Sequence, residues 1–135
     1  NANLVANYLN THESVEKVIY PGFHLGDNKK RAQKYLKNGN GPLVGFELKG
    51  GLDAGKKFID NLNLIYHVAN IGDARTLAIH PASTTHSQLS KDDQLRTGVT
   101  DGYIRLSVGI ENIEDILNDI DQALVASNSK VKDVA

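Results

Sequence analysis

The spacing of hydrophobic positions changes several times along the chain, and each change marks an element. Leu4, Val5, Tyr8 and Leu9 follow the i, i+1, i+4, i+5 stripe of a helix already under way near the first residue. Val15 to Tyr20 is short, β-branched and aromatic, and it stops at Pro21-Gly22, which predicts a strand followed by a turn. Asp27 is placed to cap a helix over 28–37, with Ala32, Tyr35 and Leu36 as its apolar stripe. Lys29, Lys30, Arg31 and Lys34 then form a solvated face. Beyond the turn cluster Asn38-Gly39-Asn40-Gly41-Pro42, Val44, Phe46 and Leu48 alternate with Gly45 and Glu47, the mark of a strand with one buried side. Gly50-Gly51 ends it, and Asp53 is placed to cap a third helix with Ala54, Phe58, Ile59 and Leu62 on one side.

Leu64 to Ala69 and Thr76 to Ile79 predict two strands separated by the turn-forming Asn70-Ile71-Gly72-Asp73. A polar loop rich in Ser and Thr follows from Pro81 to Ser90, and Lys91 to Thr97 predicts a short helix before Gly98. Tyr103 to Val108 is the clearest strand. Asn112 opens the clearest helix, with Ile113, Ile116, Leu117, Ile120 and Leu124 as its core stripe. The domain is expected to span 1–126, leaving a tail over 127–135 that has little to bury and should fray. Strands and helices intermixed in one core predict an α/β (α+β) two-layer sandwich, a mixed or antiparallel sheet with helices on one face.

Composition narrows the possible functions. At 135 residues, 40% of them hydrophobic and 23% charged, the chain has room for one globular core. The absence of cysteine excludes thiol nucleophiles, thiolate zinc sites and iron–sulfur clusters, and it suits a reducing cytoplasm, where the protein is expected to reside. A net charge of -1 offers no broad field for phosphates, so nucleic acid is not an expected partner. Apolar runs of about five residues fall far short of the ~20 of a membrane span, so no membrane is expected either. The chain has no Met and opens inside a helical stripe, a pattern expected of a piece of something longer.

Three groups of residues invite a chemical reading. In Tyr103-Ile104-Arg105-Leu106-Ser107-Val108, alternation puts Ile104, Leu106 and Val108 on one side and Tyr103, Arg105 and Ser107 on the other. A guanidinium in mid-strand requires an acidic partner or solvent, and its planar fork fits a carboxylate bidentately. Arg105 is thus a candidate clamp for a substrate carboxylate, with a structural ion pair or an exposed edge strand as the alternatives. Asn70-Ile71-Gly72-Asp73 puts an amide and a flexible Gly at the end of a strand, where binding groups often sit, though any tight turn prefers the same residues. His80-Pro81-Ala82-Ser83-Thr84-Thr85-His86 gathers two imidazoles and three hydroxyls, but no third metal ligand stands at a recognisable spacing and no Gly-x-Ser-x-Gly elbow surrounds Ser83. Neither Asn38-Gly39-Asn40-Gly41 nor Gly50-Gly51-Leu52-Asp53-Ala54-Gly55 has the spacing of a phosphate cradle.

The run from Asn70 to Ala123 resembles the pyridoxal-phosphate enzymes of cysteine and methionine metabolism, and Asn1 to Gly22 looks like the same family. The resemblance rests on Ala69-Asn70-Ile71-Gly72-Asp73-Ala74, Ile79-His80-Pro81-Ala82-Ser83-Thr84-Thr85-His86-Ser87-Gln88-Leu89, Gly98-Val99-Thr100 and Ile104-Arg105-Leu106-Ser107-Val108-Gly109-Ile110-Glu111, and Tyr20-Pro21-Gly22 fits it too. It implies the small C-terminal domain of a fold-type I, aminotransferase-like enzyme, packed after a larger domain of the same chain. Pyridoxal 5'-phosphate would be held there by a lysine this sequence does not contain, so no cofactor and no turnover are expected of these residues alone. The resemblance further implies that Arg105 clamps the substrate α-carboxylate and that Asn70, where the lyases often have Ser, helps hold it. Ser83, Thr84, Thr85 and His86 would form a loop near the active-site mouth. Asn70-Ile71-Gly72-Asp73 together with Ser83-Thr84-Thr85-His86 looks more like the sulfhydrylase branch than the γ-synthase or γ-lyase branches. That branch implies γ-replacement on O-acetylhomoserine by sulfide or a thiol, in a parent enzyme that is a homo-oligomer. A free-standing amino-acid-binding module without catalysis is the alternative from another class.

Overall fold

The computed structural model describes residues 1–128. In chain order the elements are α1 (Ala2–Thr11), β1 (Val15–Ile19), a 3-10 turn (Pro21–Phe23), α2 (Gly26–Tyr35), β2 (Leu43–Leu48), α3 (Gly51–Asp60), β3 (Tyr66–His67) and β4 (Leu77–Ile79). A second 3-10 turn (Pro81–Ser83), α4 (Lys91–Arg96), β5 (Tyr103–Ser107) and α5 (Ile113–Asn128) complete them. The strands form one mixed sheet in the order β1-β2-β5-β4-β3, antiparallel throughout except for the parallel β3/β4 pair. Helices α1, α3 and α5 pack on one face, the two-layer arrangement that the hydrophobic pattern predicts. No helix among the described residues is long and apolar enough to cross a membrane.

The core is the meeting of two periodicities. Val5 and Leu9 of α1, Phe58 of α3, and Ile116, Ile120 and Leu124 of α5 share one cluster with Val44, Phe46, Ile104 and Leu106 from the sheet, all of them fully buried. Phe46 and Phe58 meet edge to face with centroids 5.4 Å apart, the arrangement that ring quadrupoles favour. Asp119 lies among the apolar residues of α5 and is buried with them. Its carboxylate accepts the successive backbone N–H groups of Asn63, Leu64 and Ile65, each at 2.9 Å, and so ties the α3–β3 loop to α5.

Several local expectations are revised. Helix α2 begins at Gly26 with Leu25 before it, and Asp27 sits inside the first turn, paired with Lys30, rather than capping from outside. No residue of α2 is buried, and Tyr35 of its apolar stripe is 72% exposed, because α2 packs against the Pro21–Phe23 turn and not against the sheet. Asp53 likewise lies in the first turn of α3, where its charge suits the helix dipole, while Gly50 occupies the cap position. The strand expected from Leu64 to Ala69 contracts to Tyr66–His67, since the chain must turn back over the sheet end to bring β4 alongside β3 in parallel. Ser127, expected to begin the tail, is buried in α5 with its hydroxyl donating to the Leu124 carbonyl, and 129–135 lie outside the described residues.

One glycine on the core side of α3 is required by packing. A Cβ at Gly55 would stand 2.7 Å from ring carbons of His80, a ring that is held at both nitrogens and has no room to retreat. Overpacking of this kind costs about 1–3 kcal/mol and outweighs the helix-propensity gain of alanine, so Gly55→Ala is expected to lose roughly 1–2 kcal/mol. Urea unfolding measures it; an unchanged midpoint would mean that the ring moves freely.

Candidate functional site

Strand β5 separates its side chains as the alternation requires. Ile104 and Leu106 enter the core, and Tyr103 and Arg105 point to the opposite face, each half-buried. Arg105 donates from Nη2 to the main-chain carbonyl of Asn70 at 3.2 Å, while its Nε is buried without a hydrogen-bond partner among the described residues. It is absent from the ion pairs formed by the described residues. The guanidinium therefore keeps donors and its full charge for another group.

Asn70 stands beside Arg105 through its backbone. Its side-chain Oδ1 accepts the N–H of Ile71 at 2.9 Å, and its main-chain carbonyl is what meets Arg105. The rest of the segment is laced to the end of β5. Ser107 Oγ accepts the Gly72 N–H at 3.1 Å, and the Ile110 N–H donates to the Ala74 carbonyl at 2.9 Å. Thr76 Oγ1 accepts the Gly109 N–H at 2.9 Å and donates to Glu111 at 2.8 Å, while the Thr76 N–H donates to the same carboxylate at 2.6 Å. Gly109 has no space for a side chain because the backbone at Ala74 and Arg75 lies against it. Two sequence segments about 35 positions apart thus form one rigid corner that carries Arg105.

Next to this corner lies a cleft of about 380 Å³. Ile79, Pro81 and Val99 give it an apolar lining, and Thr85, His86, Tyr103 and Arg105 supply polar groups. Tyr103 leans over Gly45 of β2, where a Cβ would stand 2.8 Å from its hydroxyl oxygen. Burial pushes the phenol above its ordinary value of 10.0, against the opposing pull of the Arg105 charge, so it stays protonated as a donor at neutral pH.

The loop following β4 uses its polar groups mainly on itself. His80 is fully buried; its Nε2 lies 2.7 Å from the Asp101 carbonyl and its Nδ1 2.8 Å from Ser83 Oγ. A carbonyl can only accept, so Nε2 carries the proton and Ser83 donates to Nδ1. Thr84 Oγ1 donates to the His80 carbonyl at 2.8 Å, and Thr85 Oγ1 lies 2.9 Å from His86 Nδ1. Of the four loop residues singled out in the sequence, Thr85 and His86 border the cleft, whereas Ser83 and Thr84 pin the loop to His80. No group of three metal-ligating side chains occurs among the described residues. The parts that sequence reasoning missed are Gln94, Thr76 and the anchoring roles of Ser107 and Glu111; the last two stand inside the Arg105 motif, but nothing local announces the first two.

Burial lowers the His80 pKa below its ordinary 6.5, the Asp101 carbonyl partly opposing the shift. The unfolded chain therefore binds more protons than the native one once pH falls below about 6.5, and stability declines in that direction. We expect Tm to fall between pH 7 and pH 5, and His80→Gln, whatever it costs at pH 7, to reduce that slope. A slope identical in the variant would contradict the assignment.

Comparison with known proteins places this geometry in context. Residues 1–125 match the family model described as Cys/Met metabolism PLP-dependent enzyme. The chain is 54% identical over 92% of its length to O-acetyl-L-homoserine sulfhydrylase of Leptospira meyeri, covering 28% of that protein. It is 46% identical, again over 92% of its length, to L-methionine gamma-lyase of Fusobacterium nucleatum subsp. nucleatum, covering 31% of it. Among solved structures, one from Campylobacter jejuni assigned as an O-acetylhomoserine (thiol)-lyase, and carrying a pyridoxyl-lysine monophosphate, superposes with a TM-score of 0.83 at 40% identity. That superposition covers 92% of this chain and 30% of the other. The chain thus spans less than a third of the length of these relatives.

Proposed function

Because the chain belongs to the Cys/Met metabolism PLP-dependent enzyme family, we propose that residues 1–126 are the small C-terminal domain of a cytoplasmic, homo-oligomeric O-acetylhomoserine sulfhydrylase. In this reading the enzyme replaces the acetate of O-acetylhomoserine with sulfide or a thiol, giving homocysteine or methionine. A larger domain of the same polypeptide holds pyridoxal phosphate. The cleft beside β5 does not fit the covalent anchor of that cofactor: no lysine borders it, and its polar residues are Thr85, His86, Thr97, Tyr103 and Arg105. The electron sink that the family's cofactor supplies therefore belongs to the other domain, and the contribution of this chain is to bind and orient.

The observation that carries the proposal is the half-buried Arg105 guanidinium, braced by the Asn70 carbonyl, with Nε unpartnered and no carboxylate beside it among the described residues. A planar fork of this kind suits the α-carboxylate of an amino acid through two parallel charge-assisted hydrogen bonds. Because the laced corner at Gly72, Thr76 and Gly109 holds the strand, the carboxylate is met by a preorganised group. Fixing one end of the substrate restricts rotation about its Cα bonds, so the reacting centre is presented in a single orientation. Asn70 contributes to that site by bracing Arg105 with its main-chain carbonyl and, through its side-chain NH₂, by helping to hold the same carboxylate, its Oδ1 being taken by the Ile71 N–H.

The sulfhydrylase branch is favoured over the lyase branch by the higher identity to the Leptospira protein. The full-length enzyme, supplied with O-acetyl-L-homoserine and sulfide, is expected to release acetate and homocysteine in equal amounts. Hydrolytic cleavage of methionine to a thiol, a 2-oxo acid and ammonia at a greater rate would assign it to the lyases instead.

A further inference from the structure

On the reading that Arg105 clamps the substrate carboxylate, we propose that Gln94 is a positioning residue which ties together two chain segments that line the Arg105 cleft. Gln94 lies on the short helix α4 yet is only 3% exposed. Its side-chain Nε2 donates to the His86 carbonyl at 2.7 Å and, at 3.4 Å, to that of Ala82, the two ends of the segment containing Thr84 and Thr85. Its main-chain carbonyl accepts the Val99 N–H at 2.9 Å and the Thr97 hydroxyl at 2.8 Å. His86, Thr97 and Val99 all line the cleft. One residue therefore grips the loop with its side chain and the approach to β5 with its backbone, adding to the His80–Asp101 hydrogen bond that links the same two segments.

Stability alone gives little reason for an amide at this place. Gln94 Oε1 is buried and has no hydrogen-bond partner, a cost that an apolar side chain of similar size would avoid. The amide cannot be turned to relieve it, because both groups facing Nε2 are carbonyls and can only accept. What the amide achieves is a defined distance between the loop and α4. The loop closes further on itself through the His86 N–H to the Pro81 carbonyl, the Ser87 N–H to the Thr84 carbonyl and the Leu89 N–H to the His86 carbonyl, and Gln94 is what holds this turn to α4.

The test uses the full-length enzyme with Gln94→Leu and Gln94→Met, which keep the volume and the main-chain contacts but remove the N–H donors. The probe is L-norleucine, an amino acid with a carboxylate and no leaving group, as a competitive inhibitor. We expect Ki for norleucine and KM for the amino-acid substrate to rise about tenfold, kcat to stay within about threefold, and Tm to move by only a few degrees. Hydrogen exchange of the backbone amides over residues 84–89 should quicken at least tenfold. Unchanged Ki and exchange in a folded variant would overturn the proposal. So would a parallel loss of kcat and Tm, or failure of both variants to fold, since either would make Gln94 a residue of stability. Arg105→Ala in the same inhibition assay separates the two ideas. If that variant binds norleucine normally, the clamp is wrong, whereas amide exchange over 84–89 still decides whether Gln94 holds the loop.

Discussion

Replacing Arg105 by alanine in the full-length enzyme is expected to cut kcat/KM for the amino-acid substrate about 100-fold, equivalent to about 2.7 kcal/mol of lost transition-state stabilisation. Hydrogen bonds to a charged group contribute about 1.5–3 kcal/mol, and the bidentate pair is the strong form of that interaction. The guanidinium is available to make it because its own chain supplies only one acceptor, the Asn70 carbonyl, and leaves Nε free among the described residues. Arg105→Lys should recover part of the loss, since the charge remains while the planar fork does not. Steady-state kinetics with the amino-acid substrate varied at saturating sulfide measures both variants. Values within twofold of the unaltered enzyme would remove Arg105 from the binding site. Far-ultraviolet circular dichroism should be unchanged, because the side chain lies on the sheet face away from the core.

Asp119→Ala should destabilise this chain by about 3–4 kcal/mol. The carboxylate receives three consecutive N–H groups of the α3–β3 loop, and Gln122 Nε2 donates to it at 3.0 Å. Removing it leaves backbone donors without partners near the core, and each such group costs about 1–3 kcal/mol when water cannot reach it. Ile65, one of the three, is itself buried, so water cannot fully replace the carboxylate there. Asp119→Asn keeps one accepting oxygen and turns an NH₂ toward the remaining donors, so it should fall between, near 2 kcal/mol. Urea unfolding monitored by circular dichroism gives both values, provided that the m-value stays constant. A loss under 1 kcal/mol for the alanine variant would show that the loop finds other acceptors.

The hydrophobic pattern was most informative where an element packs along its whole length. The stripe of α5 and the inward residues Ile104 and Leu106 lie in the core, because amphipathic periodicity records which side of an element faces away from water. The same rule misled at α2, whose Ala32, Tyr35 and Leu36 make a stripe without meeting the sheet. At the candidate site, alternation along β5 was enough to turn Arg105 away from the core. Asn70 was marked as a polar residue at a strand end; that its main-chain carbonyl braces Arg105 while its Oδ1 accepts the Ile71 N–H was not legible there. Gln94 was invisible, being one polar residue in the short polar helix Lys-Asp-Asp-Gln-Leu-Arg.

By itself the sequence determined the kind and order of the elements, the residues of the principal core, the absence of thiol chemistry and the side of β5 on which Arg105 stands. Each follows from local spacing or from composition, which any stretch of chain carries within itself. Only the tertiary structure decided that β3 and β4 run parallel, that the Asn70–Thr76 segment is bound to the end of β5, that His80 and Asp119 are buried anchors, and that Gln94 joins the loop after β4 to the approach to β5. These depend on backbone N–H and carbonyl groups meeting side chains across distances of 8 to 56 positions along the chain. A buried main-chain group must find a partner, and which partner it finds is settled by how distant elements close upon one another.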